Sequence, residues 1–136
     1  MIKIKYVIKP RLSNRELNTL FQAAWTNRKE KNYMAELSKS LVYIAAKQGK
    51  KLVGFINVAW DGGKHGFILD TTVHPGYQRM GIGMELVKIA ARQAKKKGLE
   101  WLHADYEKQY EKFYKTAGFK SSAAGVMRLK DAAGKI

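Results

Sequence analysis

The stretch QRMGIGMEL (residues 78–86) sets Gly81 and Gly83 two positions apart at the head of a run with helical spacing. Leu86, Val87, Ile89, Ala90 and Ala94 form one apolar face of that run and Lys88, Arg92, Lys95 and Lys96 a wet one, which predicts a helix over about residues 81–97 stopped by Gly98. Upstream, FILDTTV has the composition of a strand, and HPGYQ joins it to the glycines. A strand that passes through a glycine-bearing loop into a helix gathers unpaired backbone N–H groups and the positive end of the helix dipole at one point. Such a corner attracts anions, and glycine lets a phosphate oxygen approach without a Cβ in the way. Gln78 and Arg79 add side-chain donors, so the corner suits a pyrophosphate.

Two well-known phosphate motifs do not fit. A dinucleotide fingerprint G-x-G-x-x-G needs a small residue where this chain has Leu86, and it belongs to a parallel strand–helix–strand unit. Gly76 and Gly81 have the spacing of a P-loop, yet Ile82 and Gly83 stand where Lys and Ser or Thr are required. The strands before the corner also argue against the dinucleotide motif. LVYIAAK and KLVGFINVAW, separated by QGK, read as an antiparallel hairpin, and WDGGKHG turns the chain again into FILDTTV.

Toward the N-terminus, Ile2, Ile4, Tyr6 and Ile8 alternate with Lys3, Lys5, Val7 and Lys9, the period of a half-buried strand that Pro10 ends. Ser13 with Glu16 is a capping-box pair, and Leu17, Leu20, Phe21, Ala24 and Trp25 follow at helical spacing, predicting a helix over residues 13–26. YMAELSKS carries a second short helix. Beyond Gly98, LEWLHADY reads as a strand, KQYEKFYKTA as a helix closed by Gly118, and FKSSAAGVMRLK as a final strand. The expected fold is α/β, a mixed, mostly antiparallel central sheet flanked by helices in the order βααβββαβαβ, with residues 1–136 as one domain.

Composition excludes several classes of chemistry. The chain has no cysteine, so disulfides, thiolate nucleophiles and thiolate zinc sites are ruled out. No run approaches the roughly 20 apolar residues of a membrane span, and the N-terminus lacks the apolar block of a signal peptide, so a cytoplasmic location is expected. Against 11 Asp and Glu stand 26 Lys and Arg, a formal net charge of +15 that attracts anions of many kinds without choosing among them.

VHPGYQRMGIGMELV resembles the acyl-CoA binding segment of the GNAT superfamily of N-acetyltransferases, whose pattern is Gln or Arg, two residues, Gly, any residue, then Gly or Ala; Gln78, Gly81 and Gly83 match it. EKFYKTAGF is similar to the family's F-Y-x-x-x-G-F helix-to-strand segment, and the order of elements is the same. Arg79 stands where many members have Gly, Met80 where Arg is frequent, and Glu107 where several have Asn. The resemblance implies acetyl-CoA as cosubstrate and no metal. Its pyrophosphate would lie on Gln78, Arg79, Met80, Gly81, Ile82, Gly83 and Met84, and its pantetheine arm would pair with the strand at Thr71, Thr72 and Val73.

Acetyl transfer to an amine requires a neutral nitrogen, donors for the carbonyl oxygen that becomes negative, and a proton for the departing thiolate. Tyr114 matches the family's catalytic tyrosine and is the candidate acid, with an aromatic packing stripe of Tyr106, Tyr110, Phe113 and Tyr114 as the structural alternative. A backbone N–H near Val73 is the implied oxyanion donor. For a general base, Asp70, His103 and Asp105 all remain open; Asp70 stands out because a carboxylate inside FILDTTV demands a partner that a cationic amine would supply. Trp60 and His65, on the turn WDGGKHG, are candidates for the substrate pocket with His103 and Asp105, although a plain hairpin turn accounts for them as well. The expected partner is a small-molecule or protein amine, with no membrane, and a homodimer is allowed. The competing readings are a CoA sensor without catalysis and a nucleic-acid binding module; the run Lys95–Lys97 has no neighbouring aromatics, which argues against the latter.

Overall fold

The computed structural model describes residues 2–130. Five strands, β1 (Lys5–Ile8), β2 (Val42–Gln48), β3 (Lys51–Trp60), β4 (His65–Val73) and β5 (Trp101–Ala104), form one sheet in the order β1-β2-β3-β4-β5. The first four are antiparallel neighbours joined by hairpins or by the helical excursion between β1 and β2, and β5 lies parallel to β4. A parallel partner requires a crossover, and the crossover is the helix after the glycine corner. This is the mixed, mostly antiparallel sheet expected from the sequence.

Helices cover both faces. The first, α1 (Asn14–Ala24), begins with the expected capping box: Ser13 Oγ accepts from Glu16 N at 3.1 Å while Ser13 N donates to Glu16 Oε1 at 3.1 Å. With the four-residue α2 (Met34–Leu37) it buries Leu17, Leu20, Phe21 and Tyr33 against Phe55 and Leu52. Phe21 meets Phe55 edge-on at 5.7 Å, the arrangement that ring quadrupoles favour. On the opposite face α3 (Ile82–Lys96) lays Ile82, Leu86, Val87, Ile89, Ala90 and Ala94 over Val53, Ile56, Val58 and Ile68. The short α4 (Glu111–Ala117) joins that layer through Phe113 and Tyr114.

Four expectations require correction. The segment read as a last strand, residues 119–130, forms none: it pairs with nothing in the sheet, and Val126, Met127 and Leu129 are exposed. Its centre, Ser121 to Gly125, holds five residues of low β-propensity, so alternation in the following VMRL is not enough to build a ladder. β1 is four residues long: its pairing with β2 starts at Lys5, so Ile2 to Ile4 lie outside the ladder, and at its other end Lys9 takes a positive φ of 50° ahead of Pro10. The expected helix KQYEKFYKTA divides into a 3-10 turn at Lys108–Tyr110 and α4, and β5 stops at Ala104 before reaching Tyr106.

One residue that positions the corner carried no signal in the sequence. A Cβ on Gly54 of β3 would lie 3.0 Å from Ile82 Cγ2 and 3.1 Å from both Leu86 Cδ1 and Ala46 Cβ. The first turn of α3 therefore rests directly on the β3 backbone. Gly54→Val is expected to destabilise by about 1–3 kcal/mol through overpacking. Chemical denaturation measures this, and an unchanged midpoint would mean that α3 can recede.

Candidate active site

The corner forms as a strand, loop and helix. β4 ends at Val73, His74 N donates back to Val53 O at 2.8 Å, and a 3-10 turn at Pro75–Tyr77 redirects the chain. His74 Nδ1 accepts from Gly76 N at 3.0 Å, and burial, followed by the neighbouring charge of Lys51, lowers its pKa from 6.5, which preserves that acceptor. Arg79 and Gly81 both take left-handed backbone, with φ of 63° and 81°. Gly81 is the N-cap of α3 and provides no side-chain acceptor, so no cap competes for the first amides of a fifteen-residue helix. Open space surrounds the position of a Gly81 Cβ. A Cβ on Gly83, by contrast, would meet Phe113 and Val73 at 3.5–3.6 Å, so its smallness also serves the approach of α4.

Beside the corner, β4 and β5 part. Their pairing covers His65 to Ile68 against Trp101 to Ala104 and goes no further, which leaves the remainder of β4 without a neighbour on that side. The separation opens a cleft of about 520 Å³ reached by Leu69, Asp70, Thr71 and Val73 from β4, by Gln78 from the loop, and by Tyr114 from α4. A register shift between β3 and β4 at this level, Phe55 opposite Thr72 and Asn57 opposite Leu69, makes a bulge, and Asp70 within it has a φ of 57°. The bulge turns the Asp70 carboxylate into the cleft, where Arg28 lies 3.6 Å away.

Tyr114 is 8% exposed and belongs to the core while also lining the cleft. Its ring stacks on Tyr106 at 4.5 Å and meets Phe113 and Phe119 edge-on. Its hydroxyl donates to Thr71 Oγ1 at 3.5 Å, linking α4 to the free half of β4. The stripe that reads as packing and the residue that reads as an acid are thus one feature, a ring fixed by neighbours with its oxygen held toward the parted strands.

The side chains of Thr72, His65, His103 and Trp60 are not brought into the cleft. Thr72 is buried, and its Oγ1 accepts from Trp25 Nε1 at 3.2 Å and donates to Asp70 O at 2.9 Å, so its side chain serves the bulge. His65 and His103 face each other with Nδ1 and Nε2 2.9 Å apart, and His103 stacks on Phe67 at 4.8 Å, on the uncovered face of β4 and β5. Trp60 stands exposed at the end of β3. Asp61 closes the turn by accepting from Gly63 N and His65 N, bonds that hold its pKa below the ordinary 3.8. Asp105 does line the cleft, as do Glu107 and Tyr110. Trp25 and Arg28 were not foreseen: Trp25 reads as one more apolar residue of α1, and Arg28 lies in the polar break NRKEKN, which has no periodicity to mark it. A second depression, near Asn14, Asn18 and Lys31, is occupied by a closed set of hydrogen bonds among these residues and lies away from the corner.

Comparison with known proteins agrees with this fold. Over 106 residues the sequence is 29% identical to a Pyropia yezoensis protein described as the uncharacterized N-acetyltransferase ycf52, covering 75% of this chain and 61% of that protein. The chain spans 61% of the length of each of the curated relatives it matches here. A GNAT family acetyltransferase from Streptococcus pneumoniae TIGR4 superposes with a TM-score of 0.75 at 30% identity, over 93% of this chain and 98% of that one. An aminoglycoside N-acetyltransferase in complex with CoA superposes with a TM-score of 0.76 at 14% identity, over 95% of each chain, a likeness of fold alone. The family model described as acetyltransferase (GNAT) matches residues 12–119, from the start of α1 through the corner and the cleft to Phe119, and the chain belongs to that family.

Proposed function

We propose that the protein transfers an acetyl group from acetyl-CoA to the nitrogen of a primary amine by direct attack within the cleft between β4 and β5. The observation that carries this reading is the meeting of an uncapped helix N-terminus at Gly81 with a parted strand edge against which the Tyr114 hydroxyl is held. Acetyl-CoA supplies an activated acyl group and a thiolate leaving group. Residues 78–84 would hold its pyrophosphate, because the first amides of α3 carry the positive end of the dipole and Gly81 sets no Cβ against an approaching oxygen. The backbone at Thr71, Thr72 and Val73 would pair with the pantetheine amides, since that edge of β4 has no strand beside it.

The side chains divide the remaining work. The Tyr114 hydroxyl gives its proton to the departing sulfur. Packing on Tyr106 and the bond to Thr71 fix where that proton is. Asp70 accepts an N–H of the attacking amine and receives the proton that nitrogen gives up as the amide forms, and Arg28 holds the carboxylate in place. A backbone N–H near Val73, where β4 ends, takes the developing negative oxygen.

Two measurements test the proposal. CoA at about 100 times its Kd is expected to stabilise the protein by about 2.7 kcal/mol, seen as a raised melting temperature, and acetyl-CoA with a panel of primary amines is expected to release free thiol. If CoA leaves melting unchanged, no amine is acetylated and an oligonucleotide raises the melting temperature, the basic surface is the functional one and the proposal falls.

A further inference from the structure

Charge is distributed in this molecule against its overall balance. The chain carries 26 Lys and Arg against 11 Asp and Glu, yet among the described residues three carboxylates, Asp70, Asp105 and Glu107, line the cleft with a single basic side chain, Arg28. Arg28 is already committed: it pairs with Asp70 at 3.6 Å, donates to Tyr33 Oη at 3.4 Å, and lies 4.8 Å over the Phe21 ring. Asp105 and Glu107 have no ion-pair partner among the described residues. Both follow the end of β5, on the wall opposite β4, beside the rings of Tyr106 and Tyr110.

We infer that the acceptor is an aliphatic di- or oligoamine, which presents one neutral nitrogen for acetylation and keeps at least one further ammonium on Asp105 and Glu107. The inference rests on the amine acetylation proposed above. The parted strands and the family's reaction define the cleft, and the carboxylates decide only which amine it takes. An ammonium has no lone pair and cannot attack, so with Asp70 assigned to the reacting nitrogen, Asp105 and Glu107 are of use to a second group that stays charged. In a chain with a net charge of +15, a polycation is repelled at long range and needs local negative charge to bind. Aromatic faces on the same wall receive the methylenes and the cation together. An amino acid acceptor would need a free cation for its own carboxylate, and Arg28, the one basic side chain among the described residues that line the cleft, is engaged with Asp70.

The test compares kcat/KM, with saturating acetyl-CoA, for cadaverine, spermidine, kanamycin, pentylamine and free lysine. Cadaverine or spermidine is expected to exceed pentylamine by about tenfold or more, mainly through KM, as binding by a remote group requires. Kanamycin above both cadaverine and spermidine would identify an aminocyclitol source of the same chemistry. Asp105→Asn with Glu107→Gln is expected to bring the ratio of cadaverine to pentylamine to about one, with melting and CoA-induced stabilisation checked on the same sample. Added salt is expected to raise KM for cadaverine more than for pentylamine in the unaltered protein, a readout that needs no variant. Equal kcat/KM for cadaverine and pentylamine, or a preference for free lysine, overturns the inference while amine acetylation stands. CoA binding without turnover of any amine overturns both.

Discussion

Tyr114→Phe is expected to lower the single-turnover rate of acetyl transfer by about 10²- to 10⁴-fold, equivalent to about 3–5 kcal/mol of barrier, while leaving CoA binding and melting nearly unchanged. The geometry separates the two effects. The ring is held by Tyr106, Phe113 and Phe119, and Phe preserves each of those contacts. Among the described residues the lost hydroxyl makes one hydrogen bond, to Thr71 Oγ1 at 3.5 Å, which is long for an O–H donor, so its loss costs no more than about 0.5–1.5 kcal/mol of stability. Chemistry therefore dominates if the hydroxyl protonates sulfur. Should the variant melt several degrees lower and keep the wild-type single-turnover rate, Tyr114 is a packing residue and the acid lies elsewhere. Steady-state kcat alone does not serve, because slow product release masks a slowed chemical step.

Gly81→Asp is expected to weaken CoA binding by at least about 10²-fold, or about 2.7 kcal/mol, with a smaller effect on folding. Two terms act on the fold in opposite directions. A side chain at a φ of 81° brings left-handed strain of about 1–2 kcal/mol, which Asp tolerates better than most residues. Against it, a carboxylate at the N-terminus of α3 interacts favourably with the helix dipole by about 0.3–1 kcal/mol, and no neighbouring atom lies in its way. What stabilises the helix is what excludes the ligand, since the new carboxylate takes up the amides proposed for the pyrophosphate and repels its charge. Gly81→Ala controls for strain without charge and is expected to lose much less affinity. Equal CoA-induced stabilisation of the Asp variant and the parent protein would remove residues 78–84 as the pyrophosphate site.

Features legible in the sequence were those set by neighbours along the chain. The Ser13–Glu16 capping box, the buried face of α3 and the hairpin turns each follow from spacings of two to four residues, and all appear where expected. The corner belongs with them, because Gly81 and Gly83 announce both a backbone without Cβ atoms and the helix that follows. No helix among the described residues is long and apolar enough to cross a membrane, which agrees with the absence of a long apolar run. The failure at residues 119–130 follows the same logic: alternation specifies which faces a strand would show, whereas a strand exists only if another offers its edge.

The site depended on contacts between residues far apart in sequence. Asp70 looked like a carboxylate awaiting a ligand, and Arg28, in a stretch with no pattern, is its partner across the cleft. The bulge that sets Asp70 at positive φ arises from the pairing of β3 with β4, which no local spacing encodes. His65 was a candidate for the acceptor pocket through the turn WDGGKHG and His103 through the strand beside that of Asp70; the parallel register sets His65 opposite Trp101 and His103 opposite Phe67, and the two imidazoles meet each other diagonally on an open face. Sequence alone determined the helix, the corner and the family resemblance, because periodicity, capping and glycine geometry act within a few residues of one chain segment. Tertiary structure alone decided what lines the cleft, because the parting of β4 from β5 and the charges that meet there are set by how separate segments pack.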